Sequence, residues 1–146
     1  MAIDKFEGTY GWLSNFFPSE VKLDGKKYKT VEHAYQAAKT VDVEEREKIR
    51  NLNKASDAKK RGRKVTMRND WEKVKLGIME QLLRQKFADQ NLKKLLLDTG
   101  EEQLIEGNWW GDTFWGVCRG EGFNHLGRIL MRIRADLKKE AALIST

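Results

Sequence analysis

Hydrophobic and polar positions recur at helical spacing along most of the chain. The clearest stripe is the last one. Leu126, Ile129, Leu130, Ile133 and Leu137 fall three or four residues apart, which predicts a helix starting near Asn124 with that face buried. Past Lys139 a frayed tail is expected. Trp71, Val74, Ile78 and Leu82 make a second stripe and predict a helix from Trp71 to about Ala88, capped by Asn69-Asp70. Shorter helices are predicted from Val31 to Thr40 behind the N-cap Thr30, from Glu44 to Leu52, from Ala55 to Arg63 and from Asn91 to Asp98. Gly62 and Gly100 act as the stops of the last two. Val21, Leu23 and Tyr28 flank Asp24-Gly25, a hairpin signal, and the first thirty residues otherwise look irregular and extended. Leu104-Ile105-Glu106 and Phe114 to Cys118 read as short strands around a loop rich in Gly and Trp. These elements predict an α+β fold, mainly α: one compact helical domain over residues 1–146 with a small β element.

Composition narrows the class. A chain of 146 residues can bury roughly two-thirds of its unfolded surface and needs no staple. With 40% hydrophobic and 10% aromatic residues it is not a disordered chain. Cys118 is the single cysteine, so no intramolecular disulfide can form, which fits a reducing compartment. The stretch Met-Ala-Ile-Asp-Lys-Phe-Glu lacks the apolar core of a signal peptide, and no apolar run approaches the ~20 residues of a membrane helix. A cytoplasmic protein with no membrane partner is expected. The net charge of +6 favours anionic partners such as phosphates, nucleotides or nucleic acid, although charge of this size also serves solubility.

Four segments have residues suited to chemistry. In the helix after Thr30, Glu32, Gln36 and Lys39 share one face beside Tyr35, while Val31, Ala34 and Ala38 share the other. That polar face reads either as a solvated surface with a charge pair or as a carboxylate and an amine presented together to a cleft. In Asn108 to Gly116, three tryptophans and a phenylalanine crowd Asp112. Such a loop either folds into the core or stacks its rings on a flat ligand while Asp112 meets the polar edge. Gly120 and Gly122 precede the helix that opens at Asn124, a weak match to a phosphate-cradling turn at a helix N-terminus. The basic run Lys54, Lys59, Lys60, Arg61, Arg63, Lys64 and Arg68 is a solvated face, a phosphate anchor centred on Arg63, or a nucleic-acid surface. His33, His125 and Cys118 lack the spacing of metal ligands, so metal chemistry is not expected.

Taken in order, the motifs resemble those of the NADAR, or YbiA-like, family from about Phe6 to Leu137. The matching pieces are Trp12-Leu13-Ser14-Asn15-Phe16, Thr30-Val31-Glu32-His33 with Gln36 and Lys39, Gly62-Arg63, Trp71, Trp110-Gly111-Asp112, Trp115-Gly116, and Gly120 to Gly127 with Leu130-Met131. The resemblance implies a YbiA-like, mostly helical fold and hydrolysis of an N-glycosidic bond at C1 of a ribose bearing a 5-phosphate. The substrate is then either a ribosylaminopyrimidine phosphate of riboflavin synthesis or ADP-ribose carried on guanine, which makes nucleic acid a partner only as an ADP-ribosylated substrate. The competing class is a module that binds ADP-ribose or nucleic acid without turnover. The family's functional positions fall on Glu32, Trp71, Trp110 and Asp112, with Lys39 a further candidate. Glu32 takes general acid/base work, Asp112 activates water or holds ribose hydroxyls, and these two roles are exchangeable. Lys39 acts electrostatically or, if burial lowers its pKa, as a Schiff-base nucleophile, and this chemistry needs no redox cofactor or metal. Trp110 and Trp71 sandwich the base or wall its pocket. Arg63, the amides near Gly122, Asn124 and Asn15 complete the expected binding set. Ala34 stands where relatives often carry an aromatic, which is expected to widen the pocket. The oligomeric state is not legible.

Overall fold

The protein is described here by a computed structural model covering residues 2–145. Those residues form two compact units. One is residues 15–86, and the other joins residues up to 14 with residues from 87 onward.

The unit of residues 15–86 begins with the hairpin of β1 (Val21–Leu23) and β2 (Lys26–Tyr28), paired antiparallel. Its turn carries Asp24 and Gly25 at φ 48° and 81°, the left-handed pair that this tight hairpin turn demands. Four helices follow: α1 (Val31–Ala38), α2 (Val43–Arg50), α3 (Ala55–Gly62) and α4 (Trp71–Lys86). Thr30 caps α1 as expected, its hydroxyl accepting from the His33 amide at 3.0 Å. The first helix packs against α2, α3, α4 and β1, and all eight of its residues are buried. The reading of its polar side as a solvated surface is therefore wrong, because neighbours surround it. On α4 the buried set is Trp71, Met79, Leu82, Leu83 and Lys86. Val74 and Ile78, placed on the buried stripe from spacing alone, are only half-buried.

In the other unit, the segment expected to be irregular contains a 3-10 helix, Gly8–Leu13. The helices α5 (Gln90–Asp98) and α6 (His125–Ser145) pack together, and their core includes Phe87, Leu92, Leu96, Leu126, Leu130 and Ile133. Here β3 (Ala2–Ile3) pairs in parallel with β4 (Gln103–Leu104), and β5 (Gly107–Asn108) pairs in parallel with β6 (Val117–Cys118). Phe114 to Gly116, expected as strand, is loop. The tail expected to fray after Lys139 continues α6 to Ser145, with Leu143 and Ile144 exposed. No helix among the described residues is long and apolar enough to cross a membrane.

Candidate active site

On α1 the candidate chemistry is built by helical spacing inside a packed core. Glu32 is 7% exposed and Gln36, one turn on, 4%. The Gln36 amide Nε2 donates to Glu32 Oε2 at 2.5 Å, so the carboxylate is held from its own helix. The Glu32 amide donates to the Asn15 carbonyl at 3.1 Å, which ties the start of α1 to the segment before the hairpin. The Asn15 side chain donates to Met79 Sδ at 3.5 Å, while its buried Oδ1 has no partner among the described residues. His33 is committed to structure. Its Nδ1 lies 2.8 Å from Thr30 Oγ1 and its Nε2 2.9 Å from the Leu52 carbonyl. Burial lowers its pKa, so the neutral ring is a core hydrogen-bonding element rather than an acid.

Lys39 follows α1 and is half-buried, its Nζ 5.7 Å from the centre of the Tyr35 ring. Tyr35 in turn packs on Trp71 at 5.2 Å between ring centres. Burial lowers the pKa of Lys39, the Glu32 charge opposes that shift, and Arg63, Lys59 and Lys75 reinforce it by repulsion. Lys39 thus feels one buried carboxylate and three further cations, drawn from α3, α4 and the residue after α3. Trp71 is 4% exposed, so it forms wall rather than a free stacking face. Arg63 is exposed. Arg68, from the same basic run, is committed to structure: its backbone amide donates to the Lys39 carbonyl at 2.7 Å and its side chain pairs with Asp70 at 2.6 Å. A separate open recess of about 750 Å³ in this unit, lined by Lys29, Thr30, Asn53 and Lys54 among others, includes neither Glu32 nor Lys39.

Trp110, Asp112, Gly122 and Asn124 belong to the other unit. Asp112 Oδ1 accepts from the amides of Phe114 at 3.1 Å and Trp115 at 2.9 Å, while Asn108 bonds both the amide and the carbonyl of Asp112. The carboxylate therefore braces its own turn. Trp110 is 48% exposed and meets Trp109 edge to face at 5.6 Å. Asn124, at φ 53°, accepts from the Glu106 amide and donates to the Leu104 carbonyl. At the start of α6, four amides that a phosphate cradle would use are taken by the chain itself. The amides of Phe123, Asn124, His125 and Leu126 all donate to carbonyls of residues 113–116, so none is free for an anion.

Comparison with known proteins decides the family. A profile of the NADAR domain matches residues 4–138. The chain belongs to the NADAR domain family. The N-glycosidase YbiA of Escherichia coli is 39% identical over 135 residues, covering 90% of this chain and 84% of that protein. An N-glycosidase of Nostoc punctiforme is 36% identical, covering 92% and 90% of the two chains. A riboflavin biosynthesis protein of Vibrio vulnificus is 36% identical over 90% of this chain, which spans 37% of that longer protein. The NMR structure of Escherichia coli YbiA superposes with a TM-score of 0.85 at 36% identity, covering 97% of this chain and 86% of that one. This NADAR protein is accordingly an enzyme of the N-glycosidase class, a hydrolase acting on N-glycosyl bonds.

Within the NADAR motifs, the fold of residues 15–86 brings Glu32, Lys39, Arg63 and Trp71 to one neighbourhood and adds members that the sequence reading passed over. Lys75 lies one turn from Trp71 and Lys59 one turn from Arg63, so helical spacing alone could have nominated both. α3 ends at Gly62, as the glycine stop predicts, but without a left-handed residue: Arg63 follows at φ −74°. Ala34 is wholly buried, so its small side chain serves helix packing and opens no pocket.

Proposed function

We propose that this NADAR enzyme hydrolyses the C1–N bond joining a base to a ribose that bears a 5-phosphate, with a ribosylaminopyrimidine phosphate as substrate. The observation that carries the reading is the buried Glu32, held by Gln36 and close enough to Lys39 to act on its charge, with Lys59, Arg63 and Lys75 near that same lysine. Cleavage of such a bond builds positive charge on the sugar ring and negative charge on the departing nitrogen. A carboxylate near C1 stabilises the first, and a positioned proton donor lets the nitrogen leave. Glu32 does this acid/base work. Arg63, exposed beside Lys39, is the phosphate anchor, and its fork of donors suits that group. Lys39 stabilises charge, or its amine attacks C1 of the ring-opened sugar imine, expelling the base as its free amine and leaving a Schiff base that water hydrolyses to the free sugar; a pKa lowered by burial favours this attack. Borohydride trapping of a sugar on the protein distinguishes the two. The riboflavin biosynthesis relative supports the aminopyrimidine substrate over ADP-ribosylated guanine.

The test pairs both substrates with Glu32→Gln, which keeps size and removes the charge and the proton. Wild type is expected to release ribose 5-phosphate from ribosylaminopyrimidine 5-phosphate, and the variant to be slower by about 10²–10⁴ with an unchanged melting temperature. A variant within a few-fold of wild type means that Glu32 is not the acid/base. Saturable binding of both compounds with release from neither supports the non-catalytic module instead.

A further inference from the structure

Residue 62 is glycine at the last position of α3. Its conformation does not demand glycine, because it is absent from the positive-φ residues of the chain. Space demands it. A Cβ built at 62 lands on the Gln36 side-chain oxygen, 2.7 Å from Gln36 Cδ and 3.1 Å from its Cβ. The Gln36 side chain, oxygen first, therefore lies against the bare Cα of Gly62. Its Oε1 is buried there and accepts no hydrogen bond among the described residues, while its Nε2 points the other way, to Glu32 Oε2. The reverse orientation would set the amide oxygen against the carboxylate. A buried acceptor without a donor is costly and rare in a folded protein, so its presence calls for a reason.

We propose that Gly62 and Gln36 are positioning residues for Glu32: Gly62 supplies the space that seats the Gln36 carboxamide, and the carboxamide fixes the carboxylate for proton transfer. Neither touches the reacting atoms. The inference rests on the reading of Glu32 as the acid/base. It goes beyond that reading by assigning α3 a part in the chemistry through one missing methyl group.

The experiment is a double-substitution cycle on the full chain with ribosylaminopyrimidine 5-phosphate, measuring kcat, KM, the pH profile of kcat and the melting temperature. Gly62→Ala is expected to lower kcat at least tenfold, the order of one charge-assisted hydrogen bond, with KM changed less than about threefold. The limb of the profile assigned to Glu32 moves to higher pH, because the ionised carboxylate loses its donor. On a Gln36→Ala background the same Gly62→Ala change costs less than about twofold, since no carboxamide remains to displace. Equal losses on both backgrounds, or an unmoved limb, overturn the proposal. Should Gly62→Ala not fold, Gln36→Met decides. It keeps the volume and removes the donor, and it must reproduce the loss in kcat and the shifted limb. Wild-type kinetics in Gln36→Met overturn the proposal. Glu32→Gln, run in parallel, separates the layers. Its inactivity beside an active, folded Gly62→Ala sinks the positioning pair alone, whereas an active Glu32→Gln removes the acid/base reading and the pair with it.

Discussion

Single residues in this protein are decided by where the core encloses them. Lys86 ends α4 only 1% exposed, with its Nζ 5.5 Å from the centre of the Phe17 ring, and burial lowers its pKa from 10.5 to about 7. In the unfolded chain it holds its proton up to about pH 10.5, so between these values the unfolded state binds more protons. The penalty of burying the charge is fully present below pH 7 and is relieved as pH rises toward 10.5. Lys86 is thus predicted to make stability climb with pH over that window, by up to about 1.4 kcal/mol per pH unit. Lys86→Met should be more stable than wild type at pH 7 and should lose this slope. Urea midpoints of both proteins at pH 7, 8 and 9 check it, and parallel curves would refute it. The sequence reading did not find Lys86, because a lysine in an amphipathic helix looks solvated until its neighbours are known. Glu32 and Lys39 were found by their shared helix face, but their burial was not.

At the scale of elements, the start of α6 shows how one pattern serves two purposes. Glycines before a helix signal either an anion cradle or a close backbone approach. Here the second holds: a Cβ at Gly122, φ 145°, would fall onto the Gly116 carbonyl oxygen. Gly122→Ala is therefore predicted to destabilise the fold by about 2 kcal/mol or more, from strain and overlap together. A thermal melt should show a drop of several degrees. An unchanged melt with a raised KM for phosphorylated substrate would restore the cradle. The helices themselves were legible because spacing, the Thr30 cap and the Asp24-Gly25 turn act within a few residues. The loop from Phe114 to Gly116 was misread as strand, since its amides and carbonyls are satisfied by an Asx turn and by the start of α6 rather than by a ladder.

For the molecule as a whole, the donor set argues against a metal. His33 uses both ring nitrogens in the core, Cys118 is buried, and the described residues hold no group of three or more His, Cys, Asp or Glu fit for a cation. Turnover is expected to be the same with and without EDTA, and a loss that zinc or magnesium restores would contradict this. The sequence by itself determined the family, the helical class and the face that joins Glu32 to Lys39. Each depends on residue types at short spacing or on motifs in a set order. Tertiary structure alone decided that this face is enclosed and that a side chain at position 62 would meet Gln36. It also decided that the α6 amides are occupied and that the basic run divides, with Arg68 tying down the end of α1 while Lys59 and Arg63 stand near Lys39. Those outcomes depend on which distant segment packs against each group, and a buried polar atom takes its role from that partner.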